Sequence, residues 1–451
     1  MSRKARLLGC IAAASFALAT FAQAAEPPPR RLTPPPVGQA AADAAQAQAT
    51  ARRLPRRPTL RSSIDETGLR APFGTAYEPL GIRAGSFIIF PTMTGQLAYD
   101  DNIYASNTNT KGDFLFVFHP IIRVLSNWSQ HALDLTAEAI GSFHGQYGSE
   151  NTRDFSFAAD GRIDVLRDTT VSPRLAYAEH TEQRGTSTDP GNAARPTTYG
   201  VFDMAVAFER RVARLWGNVT AAWSDTSYDP VRLNNGTLRN NKDRNYSRWS
   251  ADLRAGYDVT PDTSAYLRAT YNNIDYGLKP PAVTENRDSS GFEIGAGADL
   301  RIMQPLHGNL FVGYRQQNFV KPLRDISGFV YSADLLWEAT RLTQVRLFGE
   351  STIQQPNFAG TSGVVEQSIG LGIRHMLLPN VRAGFQAAYV RDSFRGSSRT
   401  DDGWDIDLRL DYLMTRKVAF GFGWRTQSRN SSTPLFNFDR NIFFAELRAD
   451  L

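Results

Sequence analysis

Histidines are the side chains of this sequence best suited to bind a metal ion. The six are His119, His131, His144, His180, His307 and His375. They are scattered, and no two stand two or four residues apart, the spacings that bring two imidazoles to one face of a strand or helix. The sequence therefore predicts no metal site and no bound cofactor.

A histidine beside a hydroxyl or a carboxyl group could support hydrolysis. His180 with Thr181 and Glu182, and His144 near Ser142, are the local candidates. Neither pair stands in a catalytic motif. We therefore expect no catalytic residues and no enzyme, and a hydrolase is the least favoured of the interpretations below.

A cluster of oxygen ligands occurs at Asp100, Asp101 and Asn102. Carboxylate and amide oxygens in such a cluster suit Ca²⁺. The same residue types also form turns, because their side chains accept hydrogen bonds from nearby backbone N–H groups. We favour the turn over the calcium site.

Charged residues alternate with apolar ones along many segments. In residues 404–412, Trp404 and every second residue after it are apolar, whereas Asp405, Asp407, Arg409 and Asp411 lie between them. A period of two predicts β-strands. In residues 133–144 the alternation lasts for twelve residues, about the length of a tilted strand that crosses a bilayer.

The segments between strands differ in length in a regular order. Eighteen candidate strands start near residues 85, 114, 131, 153, 169, 197, 213, 246, 263, 288, 308, 326, 343, 363, 381, 402, 417 and 438. Short connections, such as 127–129 and 260–262, alternate with longer ones rich in Asn, Gly and Ser, such as 181–196 and 226–245. Short turns on one side and long loops on the other are typical of outer-membrane barrels.

The fold class that follows is all-β: a single antiparallel transmembrane β-barrel of about 18 strands, with 16 as the alternative. Closure is required because hydrocarbon offers no partners to the backbone groups of a free strand edge. An even strand number places both ends of the barrel on the short-turn side, which we expect to be the periplasm.

The charged faces of these strands are predicted to line the lumen, since an arginine facing lipid at mid-bilayer would cost about 2–4 kcal/mol. The predicted acids are Asp134, Glu138, Asp160, Asp164, Asp252, Asp258, Glu293, Asp299, Asp334, Glu338, Glu350, Glu366, Asp405, Asp407, Asp411, Glu446 and Asp450. The predicted bases are Arg162, Arg174, Arg254, Arg268, Arg301, Arg315, Arg346, Arg374, Arg382, Arg409, Arg425 and Arg448. The small excess of acids predicts a weak preference for cations. Pairing of acids with arginines, which would merely hold the wall in shape, is an equally open interpretation.

Aromatic residues on the opposite faces fall near the strand ends, as expected for interfacial girdles. They are Tyr177, Trp223, Tyr271 and Tyr389 toward the long loops, and Tyr257, Trp337 and Tyr412 toward the short turns.

The N-terminal part differs from the rest in composition. Residues 1–25 combine basic residues, an apolar run from Leu7 to Phe21 and the small-residue site Ala22-Gln23-Ala24, which together predict a cleaved signal peptide. Residues 26–80 are rich in Pro, Ala and Arg and predict a disordered periplasmic arm. The barrel is predicted to occupy residues 81–451. Cleavage would remove Cys10, the single cysteine, so no disulfide is expected.

The overall composition hides this organisation. The chain has 451 residues, 41% of them hydrophobic and 21% charged, a mean hydropathy of −0.36 and a net charge of +5. Residues 1–25 and 26–80 each carry +3, whereas residues 81–451 carry −1. The bulk of the chain is not basic, so nucleic acid is not an expected partner.

Three short motifs near the start of the predicted barrel resemble a known family. They are Pro79-Leu80-Gly81, Phe90-Pro91 and Tyr99-Asp100-Asp101-Asn102, and they are similar to the opening of the family called putative β-barrel porin 2. The resemblance implies an outer-membrane barrel with no assigned substrate, and similar proteins are often associated with surface-polysaccharide export. The sequence departs from most outer-membrane barrels at Leu451, where an aromatic residue usually ends the chain.

The leading functional hypothesis is a porin-like channel for diffusion of hydrophilic solutes. The alternatives are a barrel component of surface-polysaccharide export and an outer-membrane hydrolase. The expected location is the outer membrane of a Gram-negative bacterium. The expected partners are outer-membrane lipid and lipopolysaccharide, the barrel insertion machinery, a periplasmic polysaccharide-export complex under the first alternative, and further copies of the chain if the barrel oligomerises.

Overall fold

The computed structural model describes residue 77 and residues 79–451 apart from 187, 188, 190, 301–305, 357 and 359. The predicted signal peptide and nearly all of the predicted arm lie outside the described residues. Strands of 12 to 16 residues dominate the described chain. No helix in the described ranges is long and apolar enough to span a membrane.

Eighteen strands form the barrel wall. The first nine are β1 (Phe87–Asp100), β2 (Asp113–Ser126), β3 (Ala132–His144), β4 (Thr152–Leu166), β5 (Thr169–Thr181), β6 (Thr198–Val212), β7 (Leu215–Tyr228), β8 (Tyr246–Thr260) and β9 (Thr263–Tyr276). The second nine are β10 (Ser289–Leu300), β11 (Leu306–Phe319), β12 (Ile326–Thr340), β13 (Thr343–Gln354), β14 (Gly363–Leu378), β15 (Val381–Arg395), β16 (Thr400–Leu413), β17 (Val418–Ser431) and β18 (Phe438–Asp450). Each strand begins within two residues of its predicted start.

The wall is antiparallel throughout and closes on itself, because β1 pairs with β2 on one side and with β18 on the other. A short strand, Ile82–Ala84, precedes the barrel and forms a hairpin with the start of β1. The predicted all-β barrel of 18 strands is confirmed, and the alternative of 16 is wrong.

The connections alternate in length as predicted, with one correction. The β4–β5 and β8–β9 turns have two residues, whereas the β5–β6 and β7–β8 loops span 182–197 and 229–245. The exception is the β15–β16 connection on the long-loop side, which spans only residues 396–399, because the hydrogen-bonded ladder of β15 and β16 continues to Ser393 and Thr400. Both ends of the barrel, Phe87 and Asp450, lie on the short-turn side.

The two faces of the wall differ in the way that the alternation predicts. The outward face carries exposed apolar side chains, among them Leu97, Phe114 and Leu267, each at least 66% exposed. The opposite face is the inner one, because its side chains reach across a neighbouring strand. Arg409 on β16 contacts Glu446 on β18, and Arg268 on β9 stacks on Phe311 of β11. An apolar outer face of this kind suits contact with lipid.

The seven predicted girdle aromatics all have the outward register. Those near the long loops pair with aromatic neighbours across the ladder. Tyr177 lies beside Phe155, Trp223 beside Phe202, and Tyr271 beside Trp249. Aromatic pairs of this geometry add to the burial energy of the wall.

The inner face is not uniformly polar. Ala98, Leu115, Val117, Ile442 and Phe444 form a buried apolar cluster on β1, β2 and β18, and Tyr266, Phe311 and Val330 form another on β9, β11 and β12. Gly423 makes room for the first cluster, since a Cβ at this position would lie 2.3 Å from the Phe444 ring. The missing side chain at Gly423 thus lets the inward Phe444 ring lie close to the backbone of β17.

The seam between the first and last strands is closed by side chains of the family-like motif. The Asp100 carboxylate, fully buried, accepts hydrogen bonds from Asn102 N at 2.9 Å and from Arg440 Nε at 2.8 Å. Asp101 accepts from the backbone and side chain of Asn441. The bond from Asn102 N to Asp100 is a local turn contact, as the turn interpretation predicts.

Candidate functional site

The charged inner face of the barrel is the candidate site, and its register follows from the ladders. Every lumen-lining residue predicted above that the structure describes shares the inward register. Arg301 lies outside the described residues. The residues fall into groups that differ in solvent exposure.

The first group, which we call the solvated charge network, lies on β2–β5. Its members are Arg123, Asp134, Asp160, Arg162, Asp164 and Arg174. Asp134 and Asp160 stand directly opposite each other, and each binds an arginine: Arg123 contacts Asp134, and Arg174 Nη1 lies 2.6 Å from Asp160. The exposed fraction of these six side chains runs from 15% to 44%. Water therefore reaches charges of both signs along this wall.

Glu138 belongs to the same wall and contacts His119, with 3.2 Å between the carboxylate and Nε2. Both side chains are largely buried, at 13% and 9% exposure.

The middle of the wall, β8–β13, holds a chain of linked ion pairs. Asp252 accepts from Arg268 at 2.6 Å, with Arg254 Nε 3.3 Å from its other oxygen. Arg268 also approaches Glu293, which binds Arg315 at 2.7 Å. Further along, Arg346 binds Asp334 through two hydrogen bonds of 2.6 Å each. Opposite charges on adjacent strands thus pair across the inner face.

The remaining group, which we call the buried charge network, lies on β15–β18. Its members are Arg382, Asp407, Arg409, Asp411, Arg425 and Glu446. Arg409 binds Asp411 and Glu446, and Arg425 donates two hydrogen bonds to one oxygen of Asp407. The exposed fraction of these six side chains runs from 1% to 11%. Gly421 gives the network room, because a Cβ there would lie 3.0 Å from Arg409 Nη2.

Five more of the predicted residues lie on β14, β16 and β18. Glu366 accepts from Gln354, Asp405 accepts from Gln427 at 3.0 Å, and Arg448 donates to Asp450 at 3.0 Å. Arg374 is 3% exposed on β14. Of these five residues, Arg448 and Asp450 pair with each other, as the pairing interpretation expects.

Sequence reasoning missed several inward charges near the long-loop ends of the strands. Asp401 on β16 binds Arg399 and lies 3.7 Å from Arg429 of β17, and Arg440 of β18 binds Asp100. The sequence does contain a signal for these charges. The alternation that includes Asp405 on β16 continues to Asp401, and the alternation that includes Arg425 on β17 continues to Arg429.

The long loops are linked to one another by buried ion pairs. Arg184 of loop 182–197 binds Glu150 through two hydrogen bonds of 2.8 and 2.9 Å, and Arg244 of loop 229–245 binds Glu182 through two of 3.1 and 2.7 Å. Burial alone would lower the pKa of Arg184, but Glu150 raises it above its ordinary value. Arg244 also stacks on Tyr228, with 3.8 Å to the ring centroid.

The two histidine candidates lie in different surroundings. The His180 ring packs on Tyr199, with 5.6 Å between ring centroids. His144 Nδ1 is buried without a hydrogen-bond partner. Among the residues that the structure describes, no group of three or more His, Cys, Asp or Glu could hold a metal ion.

Several solved structures are similar to this chain. OpdL of Pseudomonas aeruginosa matches with 14% identity and a TM-score of 0.42, covering 82% of this chain and 100% of that one. OccK2 (OpdF) of the same organism matches with 11% identity and a TM-score of 0.43, covering 80% and 98%. The siderophore receptor PirA of Acinetobacter baumannii matches with 7% identity and a TM-score of 0.42, covering 80% of each chain.

No curated protein sequence matches this chain significantly. The family model described as "Putative beta-barrel porin 2" matches residues 75–451, which include all 18 barrel strands. This family is one of porin-like outer-membrane barrels. The resemblance noted at Pro79-Leu80-Gly81 and Tyr99–Asn102 is thereby confirmed: the chain belongs to the putative β-barrel porin 2 family.

Proposed function

We propose that this protein is an outer-membrane channel for small hydrophilic solutes and that solutes pass along the solvated charge network of β2–β5. The observation that carries the proposal is the exposure of Arg123, Asp134, Arg162 and Arg174 on the inner face. Charged side chains that water reaches provide hydrogen bonds to replace those a solute loses on leaving bulk water. Barrels of 16 to 18 strands are wide enough for an aqueous path.

The experiment is a pair of cysteine variants in a chain that begins after the predicted cleavage site and so lacks Cys10. Ala158 has the inward register on β4, beside the solvated charge network, and Ala159 has the outward register. We expect steady single-channel conductance in planar bilayers from both variants. A charged thiol reagent should lower the current of Ala158→Cys and leave Ala159→Cys unchanged.

Two outcomes would contradict the proposal. One is a barrel that inserts and never conducts. The other is a reagent that has the same effect on the current of Ala158→Cys as on that of Ala159→Cys, since the path would then not run along β4.

Surface-polysaccharide export is the alternative that the family resemblance left open. It depends on the predicted arm at 26–80, nearly all of which lies outside the described residues, and no contact among the described residues favours it. A surface glycan that is unchanged after deletion of residues 26–80 or of the gene would contradict it.

The partners and the orientation belong to the same proposal. We infer that the short-turn side faces the periplasm, that the outward apolar face contacts outer-membrane lipid and lipopolysaccharide, and that the barrel insertion machinery inserts the chain into the membrane. Proteolysis of intact cells should cut the long loops, such as 229–245, and spare the short turns.

A further inference from the structure

Arg248 is an inward arginine without a counter-ion. It lies on β8 and has the same inward register as Asp252 on that strand. Among the residues that the structure describes, its side chain forms no ion pair and no hydrogen bond. Other inward arginines do, since Arg315 binds Glu293 at 2.7 Å and Arg346 binds a carboxylate at 2.6 Å. Arg248 is therefore a positive charge in the lumen that the wall does not pair.

The guanidinium group of Arg248 is open on one side. Its Nε is buried without a partner, whereas solvent reaches Nη1 and Nη2, and the residue as a whole is partly exposed. An arginine can bind a carboxylate through two parallel hydrogen bonds from its planar fork of N–H groups. The two nitrogens at the tip of the fork are the ones that a carboxylate in the lumen could reach.

The charges around Arg248 do not cancel its own. Glu293 and Arg315 act on it with opposite signs. Glu293 is already shared, because it binds Arg315 and lies 3.8 Å from Arg268. Asp203 of β6 lies beyond β7, about 10 Å away along the wall by the spacing of strands, and forms no ion pair with Arg248. A partly buried charge left in this state gains from an added anion.

Two serines lie beside the guanidinium group. Ser224 of β7 stands directly opposite Arg248, and Ser250 follows two residues along β8 on the same face. Cβ atoms of directly opposite residues are about 4.5–5.5 Å apart. Both serines are partly exposed, and neither hydroxyl has a hydrogen-bond partner in the described part of the chain. Each hydroxyl can donate to a carboxylate oxygen, which accepts more than one hydrogen bond.

We propose that Arg248, Ser224 and Ser250 form a binding site in the lumen for the carboxylate group of a small monovalent anion. Nη1 and Nη2 donate to its two oxygens, and the serine hydroxyls donate to their remaining lone pairs. One unpaired positive charge matches one carboxylate, whereas a second negative charge would be repelled by Glu293. That the anion is a solute in transit rests on the proposed channel function, whereas the site itself does not.

The test uses the refolded full barrel, with butyrate as the probe and butyramide as its uncharged match of the same size. Phenylglyoxal modifies guanidinium groups that solvent reaches, and peptide mass spectrometry reports the modification of each arginine. We expect Arg248 to react and butyrate to slow this reaction about tenfold at about ten times its Kd. Butyramide should have no effect. Arg210, 58% exposed at the short-turn end, is the internal control and should react at one rate throughout.

Three outcomes of this test would overturn the proposal. The first is an Arg248 that does not react, since the group would then be closed to solutes. The second is a reaction that butyrate leaves unchanged, and the third is equal protection by butyrate and butyramide.

Variants assign the affinity to these side chains, measured by saturation-transfer NMR on the butyrate methyl signal. Arg248→Gln should weaken butyrate binding about tenfold or more, and Ser224→Ala about threefold. The matched control is Arg346→Gln, which removes the same charge from an inward arginine that Asp334 already pairs, and should leave the affinity unchanged. Equal affinity in the wild type and Arg248→Gln, or an equal loss in Arg346→Gln, would overturn the assignment.

The two proposals fail in different ways. A barrel in which butyrate protects Arg248 and that never conducts would refute the channel and keep the site. A barrel that conducts while butyrate leaves the reactivity of Arg248 unchanged would refute the site and keep the channel.

Discussion

The solvated charge network on β2–β5 and the buried charge network on β15–β18 use the same residue types in the same period-two pattern. They differ in what surrounds them. Arg123 and Arg174 are 44% and 29% exposed, whereas Arg409 and Arg425 are 3% and 1% exposed. One wall presents charges to water, and the other packs charges against one another.

The difference shows that an inward charge can have either of two roles. Exposed ion pairs contribute about 0–1 kcal/mol each because water screens them. In a buried pair, loss of one partner leaves an uncompensated charge and costs about 3–5 kcal/mol. The solvated charge network should therefore govern which solutes pass, and the buried charge network should govern the stability of the barrel.

The largest effect is expected from Arg425→Ala in the buried charge network. Removing this side chain leaves Asp407, 3% exposed, without its arginine. We expect the free energy of unfolding to fall by about 3–5 kcal/mol, measured by urea titration of the refolded barrel in lipid. The matched variant Arg174→Ala, whose partner Asp160 is 21% exposed, should lose about 1 kcal/mol or less. Equal losses would remove the distinction between the two networks.

An intermediate effect is expected at the seam between β1 and β18, where one partner is buried and the other is not. Asp100 is 0% exposed and Arg440 is 15% exposed. Arg440→Ala should cost about 1–3 kcal/mol, because the Asp100 carboxylate keeps its hydrogen bond from Asn102 N and so stays partly satisfied. The same urea titration measures it. If the free energy of unfolding fell as far as it does in Arg425→Ala, the position of the pair at the seam, and not its exposure alone, would determine the loss of stability.

The barrel itself could be predicted from the sequence because a strand has only two faces. A slip of one residue would move a whole strand's charges into lipid, so the charges fix the register. This explains why Asp134, Arg254 and Glu446, on strands far apart in the chain, all have the predicted inward register.

Burial could not be predicted in the same way. Arg162 and Arg409 each stand two residues before an aspartate with which they pair, yet one is solvated and the other is not. Their exposure depends on side chains that neighbouring strands and loops contribute, such as Glu446 on β18. The pairing of Glu182 with Arg244 also joins two loops whose conformations no short-range pattern specifies.

The smallest effect, and the one most specific to function, is expected from neutralising the acids of the solvated charge network. Asp134 and Asp160 lie opposite each other on β3 and β4, so Asp134→Asn with Asp160→Asn removes two adjacent negative charges from the proposed path. In water, a unit charge about 4 Å away is worth about 1 kcal/mol to a passing ion. The ratio of cation to anion permeability should therefore fall a few-fold, which the reversal potential in a salt gradient measures.

Asp407→Asn removes a charge that is 3% exposed and should leave the reversal potential unchanged. A shift from Asp407→Asn and none from the double variant would place the path along the buried charge network instead, because only charges that a permeating ion approaches can alter its selectivity.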